Sequence, residues 1–276
     1  MEEKKKFKIT PSILIILTFI TTILVGTILL VLPISTVDRK GVNFIDSLFI
    51  ATSATCVTGL SPIACGEVLS IFGQAVLAIL IEIGGLSFLT IVSFIFIIIG
   101  KKMDISSRVL LKEQLNQDSI KGVSHLIKRI VFASLSIQLI GAIASFFVFK
   151  FGHNIPVGQS IRLSLFHAIS AFNNAGFDLF TGIEPSMIGF RNDIALNIIT
   201  MILILLGGIG FVVMSEIVTK KKWRFFSLNT KVVLIMTLIL FVGGTILFKL
   251  FMWNEMTFLQ AMFSSVTELL DLHQSI

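Results

Sequence analysis

Five apolar stretches, approximately Ile13–Leu32, Leu69–Ile99, Ile127–Phe149, Ile194–Val218 and Val232–Met252, are each long enough to cross a bilayer. A hydrocarbon core about 30 Å thick takes ~20 helical residues. In lipid every backbone N–H and C=O must be paired within the protein, so such stretches fold as helices. The fold class read from them is all-α integral membrane. Composition agrees: 55% of the 276 residues are hydrophobic and 14% are charged. That balance excludes a disordered chain, a disulfide scaffold and a nucleic-acid-binding domain. The net charge of +6 comes from basic residues in short connections, which is a topology signal rather than a phosphate-binding patch. Two of the stretches, Leu69–Ile99 and Ile194–Val218, exceed a straight crossing and are expected to tilt or to extend beyond the membrane.

Orientation follows from the basic residues. Sixteen of the 22 Lys and Arg fall in the N-terminal tail (Lys4 to Lys8), the second connection (Lys101 to Arg129) and the fourth (Lys220 to Lys231). The positive-inside rule puts those segments, and the N-terminus, in the cytoplasm of a multi-pass plasma-membrane protein. The first apolar run is a span rather than a signal peptide, because no small-residue cleavage site follows it. Cys56 and Cys65 form no CxxC or Cys/His cluster, so no metal site and no dithiol chemistry are read from them, and nothing requires a disulfide.

The two outer connections, Pro33–Val68 and Lys150–Asp193, each carry an apolar stretch too short to span, Phe44–Ala54 and Ile161–Phe172. These read as re-entrant helices. The resulting unit of span, short helix, loop and span occurs twice. LFIATSATCVTGL (Leu48–Leu60) aligns without gaps on LFHAISAFNNAGF (Leu165–Phe177), sharing Leu, Phe, Ala, Ser, Ala and Gly. LIEIGGLSFL (Leu80–Leu89) parallels LILLGGIGFV (Leu203–Val212). Two Gly-anchored blocks in the same order mark an internal repeat. A third unit begins with Val232–Met252 and FLQAMFSSVT (Phe258–Thr267) and is left incomplete by Glu268–Ile276. The organisation is therefore a first unit (1–100), a cytoplasmic linker (101–123), a second unit (124–219), a second linker (220–231) and an incomplete third unit (232–276).

A re-entrant helix that turns back inside the membrane leaves carbonyls unpaired, which is tolerated only in protein or against a wet cavity. There they can replace the water shell of a cation. Glycine permits the backbone angles of such a turn, and each helix C-terminus contributes partial negative charge. Gly59 and Gly176 stand where those turns belong.

These strings resemble the Trk/Ktr/HKT superfamily of potassium transporters, and most closely its Ktr membrane subunit. TSATCVTGL is similar to the family's first filter and ISAFNNAGFD to its second. IGGLSF, LGGIGF and the linker string ISSRVLLKEQLN (Ile105–Asn116) also match, over roughly Pro11 to Thr267. The resemblance implies potassium uptake, with sodium open as a co-transported or alternative ion. It implies a selectivity filter of backbone carbonyls from Thr55, Cys56, Val57, Thr58 and Gly59 and from Asn173, Asn174, Ala175 and Gly176. It also implies a homodimer and a cytoplasmic ring of nucleotide-binding regulatory subunits. The chain has no dinucleotide fingerprint, so no cofactor is assigned to it. Its departure is the absence of the family's third filter after Thr267, with Asp271 and Leu272 near the place of the third glycine. The alternative function is therefore a truncated, non-conducting membrane fragment.

Other residues carry paired readings. Asp178 follows the second filter and either concentrates cations at the outer mouth or caps its loop. Glu82, an acid inside a span, is a structural hydrogen-bonding group or part of the ion path. Gly84, Gly85, Gly207, Gly208 and Gly210 read as close helix contacts. His167 and Ser170 share a helix face, but they lack an oxyanion motif and an orienting acid, and the chain is not read as an enzyme. Lys220–Lys222 mark topology, with anionic lipid or a cytoplasmic partner as further readings.

Overall fold

The computed structural model describes residues 11–86, 90, 123–181, 187–252 and 257–274. Ten helices of regular α form run through them: α1 (Pro11–Val31), α2 (Phe44–Thr55), α3 (Cys65–Val68), α4 (Ile71–Leu86), α5 (Val123–Phe147), α6 (Val157–Phe172), α7 (Ile194–Gly208), α8 (Phe211–Lys220), α9 (Leu228–Phe251) and α10 (Phe258–Gln274). The described residues contain no strand, only an isolated bridge between Thr36 and Leu69. The lysine tail, the linker string Ile105–Asn116 and the far end of the second apolar stretch lie outside the described residues.

Six hydroxyl residues of these apolar helices pair their side chains with the helix backbone. Thr21, Thr22 and Thr27 donate to the carbonyls four residues back, as do Ser134, Ser136 and Thr245. That local pairing is what a low-dielectric surrounding demands. Apolar side chains such as Ile16, Ile20 and Ile28 on α1, Leu139 and Ile143 on α5 and Leu238 and Ile246 on α9 stay exposed. Exposed apolar faces of this extent suit lipid rather than water. His125–Gly152, which runs through a π turn at the end of α5, and Leu228–Phe251 are long and apolar enough to cross a membrane.

The fourth apolar stretch departs from the single span read from the sequence. It is two helices, α7 and α8, bent by 96°. The break falls at Gly210, whose φ is +84° and around which a Cβ would meet nothing within 4 Å. Gly210 is thus a backbone hinge and not the packing contact expected of it. Glycine takes this left-handed angle without the steric cost an L side chain meets.

The order of packing repeats along the chain. Long helix α1 packs on short helix α2, α5 on α6, and α9 on α10. The short helices α2 and α6 pack in turn on α4 and α7, while α4 also touches α6 and α7 touches α10. At one end of the molecule α1 and α5 are each tied to the helix that follows the loop. The Val37 and Ser70 N–H groups donate to Val68 and Ser35 carbonyls, and Ser70 Oγ donates to Ile34 O. The equivalent tie between α5 and α7 is His153 Nε2 to Asp193 Oδ2 at 2.6 Å, beside a cluster of Phe149, Phe180 and Phe190 rings.

Candidate functional site

α2 and α6 end in the same reverse turn, bond for bond. After α2, Val57 N–H donates to Ala54 O (3.3 Å) and Thr58 N–H to Ser53 O (2.9 Å). After α6, Asn174 N–H donates to Ala171 O (3.2 Å) and Ala175 N–H to Ser170 O (2.8 Å). This is the Schellman pattern, which pairs the last helical carbonyls and swings the chain off the axis. It needs one left-handed residue, and here Val57 and Asn174 take φ of +58°. A β-branched residue in that region is a strained outlier, held there by its surroundings at a cost on the order of 1–3 kcal/mol.

Two residues further, Gly59 (φ +74°) and Gly176 (φ +69°) turn the backbone again. A Cβ on Gly59 would stand 2.7 Å from the Ala175 carbonyl oxygen and 3.0 Å from the Gly176 Cα; one on Gly176 would stand 3.2 Å from the Gly59 Cα. The two turns therefore meet glycine against glycine. Thr55, Cys56, Val57, Thr58 and Gly59 are brought beside Asn173, Asn174, Ala175 and Gly176 by this contact. Within the group Ala175 is fully buried, Asn173 is buried and Cys56 is exposed.

Each turn is braced from its own helix. Ser53 Oγ accepts from the Leu60 N–H and from Thr58 Oγ1, both at 2.9 Å. Ser170 Oγ donates to the Phe177 carbonyl at 2.6 Å. Leu60 and Phe177 are matched positions of the repeat. The shared serine thus spans the turn in both copies, a role that its identity between the two strings signalled but that the sequence alone did not assign. Ser170 is committed to this brace and His167 Nε2 bonds Thr200 Oγ1 at 2.9 Å, so the two do not form a nucleophile and base.

The glycines of the following helices let them approach the turns. A Cβ on Gly84 would stand 2.3 Å from Thr55 O, one on Gly207 only 1.7 Å from Phe172 O, and one on Gly85 2.1 Å from Asn173 Oδ1. These agree with close helix contacts. A cavity of about 270 Å³ opens on the N-terminal side of both turns, lined among others by Cys56, Val57, Asn173, Asn174, Gly84 and Gly207. The C-terminal ends of α2 and α6 both face it, and their partial negative charge favours a cation. On the other side a cavity of about 330 Å³ is lined by Thr58, Gly176, Asp178 and, from α10, Phe263 and Thr267. The half-buried Asp178 accepts the Phe180 N–H at 3.1 Å, so it caps its loop while lining this cavity. Asn174 lines both cavities, and its Oδ1 is buried without a partner.

Two further features bear on the site. Glu82 accepts hydrogen bonds from Asn173 and from Gln138 on α5; nothing in the sequence singled out Gln138. The third short helix, α10, contains no such turn: it remains helical through Gln274, past the position of Asp271 and Leu272. Cys56 and Cys65 are free thiols, and no cluster of metal-ligating side chains occurs among the described residues.

A family model described as TrkH, a cation transport protein, matches residues 2–276. The chain is 42% identical over 238 residues to the Ktr system potassium uptake protein B of Bacillus subtilis, covering 86% of this chain and 52% of that protein. It is 38% identical over 266 residues to the potassium/sodium uptake protein NtpJ of Enterococcus hirae, covering 96% and 57%. It is 34% identical over 239 residues to the Ktr system potassium uptake protein B of Vibrio alginolyticus, covering 86% and 51%. The chain spans about half the length of the curated relatives it matches.

Proposed function

Since this chain belongs to the TrkH cation transport family, we propose that it carries potassium across the plasma membrane as the ion-translocating part of a Ktr-type uptake system. The two turns form adjacent walls of the selectivity filter. Carbonyls of Thr55 to Gly59 and of Asn173 to Gly176 replace the water shell of the ion, and the helix ends behind them offset its charge. Asp178 raises the cation concentration at the outer mouth. The N-terminus is cytoplasmic, the side that the positive-inside rule gives to the basic connections. The subunit works as a dimer on a nucleotide-binding regulatory ring, and sodium accompanies or replaces potassium.

The observation that carries this reading is the meeting of the two matched turns at Gly59 and Gly176. Two matched turns joined backbone to backbone bring the carbonyls of both segments together, which is the arrangement that cation coordination uses. The complete gene, expressed in a bacterium lacking its own potassium uptake, is expected to restore growth at low potassium. Failure of a full-length, membrane-inserted product would count against the reading. Running the assay with and without sodium separates symport from uniport.

A non-conducting role is the second reading, favoured by α10, which stays helical where α2 and α6 break into turns. Co-expression of the chain with an intact transporter distinguishes it. Interference lowers uptake, and a conducting subunit does not.

A further inference from the structure

The Glu82 carboxylate joins three helices at one point. Its Oε2 accepts from Asn173 Nδ2 at 2.7 Å and from Gln138 Nε2 at 3.0 Å, and its Oε1 accepts from the same Gln138 nitrogen at 3.2 Å. Glu82 lies on α4, Gln138 on α5, and Asn173 is the C-cap of α6, where the second turn begins. Among the described residues no basic side chain pairs with Glu82. Its partners among the described residues are two carboxamides, and an intramembrane carboxylate without a counter-charge is costly.

We infer that Glu82 is a positioning residue that fixes the Asn173 carboxamide and, through it, the start of the second turn, and so sets ion preference. This rests on the filter reading given above. The Asn173 carboxamide is fixed at its nitrogen and hemmed in at its oxygen. Its nitrogen donates to Glu82 and to Ile169 O at 3.0 Å. Its oxygen lies against Gly85, where a Cβ would come within 2.1 Å. Asn173 and Gly85 both line the cavity of about 270 Å³, so any slip of Asn173 moves the wall of that cavity and the carbonyls that follow. The first turn has no such clamp, because its matched residue, Cys56, is exposed. The repeat partner of Glu82 is Leu205, an apolar residue packed against the core cluster that holds Ala171, Phe172 and Val266.

The test compares variants of the complete protein by potassium and sodium uptake in cells, normalised to inserted protein. Glu82→Gln removes the charge and replaces one of the two accepting oxygens with an NH2 group. Glu82→Asp keeps the charge but is one methylene short of Asn173. Each removes a charge-assisted hydrogen bond, so each is expected to raise the potassium KM about tenfold or more and to lower discrimination against sodium similarly. Maximal rates should stay within about twofold. An unchanged KM and unchanged preference, with only the maximal rate or the amount of protein reduced, would overturn the inference. Gly176→Ser in the same cells separates the two levels. If it shifts ion preference while the Glu82 variants do not, the inference alone fails; if it shifts nothing, the filter reading fails and takes the inference with it.

Discussion

Gly176→Ser should abolish potassium-selective uptake while leaving the protein inserted, and Gly59→Ser should do so more severely. Both glycines hold a positive φ, +69° and +74°, where an L residue costs roughly 1–2 kcal/mol. That strain alone is small beside the stability of a bundle. The added atom decides the outcome. At Gly176 it would press on the Gly59 Cα at 3.2 Å, and at Gly59 it would overlap the Ala175 carbonyl oxygen at 2.7 Å. Neither neighbour is a flexible side chain, so the turns must part and their carbonyls must move. Replacing a cation's water shell depends on where those oxygens stand. A displacement that weakens binding by about 1.4 kcal/mol already costs tenfold in affinity. The expected result is a potassium KM raised tenfold or more for Gly176→Ser, with sodium discrimination largely lost, and no measurable low-potassium uptake for Gly59→Ser. Unchanged kinetics in both would remove the turns from the conduction path.

Gly207→Ala should fail at an earlier stage, in the packing of α7 on α6. Its Cβ would stand 1.7 Å from the Phe172 carbonyl oxygen, roughly 1.5 Å closer than van der Waals contact allows. The obstacle is backbone at the last turn of α6, so the two helices must separate. Overpacking usually costs 1–3 kcal/mol, and an overlap this deep belongs at or above the upper end. Gly84→Ala meets Thr55 O at 2.3 Å and should be less damaging. Gly243→Ala meets nothing within 4 Å and should be neutral or stabilise α9 by up to about 1 kcal/mol. Thermal unfolding of the purified full-length protein should rank the variants in that order, with Gly207→Ala lowest. A Gly207→Ala protein as stable as the parent would contradict the packing.

The long helices α1, α5 and α9 were legible because apolar runs of about 20 residues admit one solution in lipid. The two turns were legible because the repeat aligned Gly59 with Gly176 and Ser53 with Ser170. The backbone angles were only half visible. Gly59 and Gly176 announced themselves, but the first left-handed residues are Val57 and Asn174, and no propensity places a valine there. The break at Gly210 was hidden by hydropathy, which stays high across α7 and α8 and carries no information on direction. It is the spacing of Gly207, Gly208 and Gly210 that holds both a contact and a hinge, and only coordinates tell which glycine does which. Glu82 stood out as an acid in a span, yet its partners could not be read. Gln138 and Asn173 reach it from helices 56 and 91 residues away in sequence.

The central claim is that the turns at Gly59 and Gly176 coordinate the transported ion. Anomalous diffraction from crystals of the complete transporter soaked in thallium or rubidium, heavier stand-ins for potassium, tests it most directly. The account predicts a peak coordinated by carbonyl oxygens of the segments Thr55–Gly59 and Asn173–Gly176, beside the contact of the two glycines. A transport-competent protein whose ion peaks all lie away from these carbonyls would contradict it.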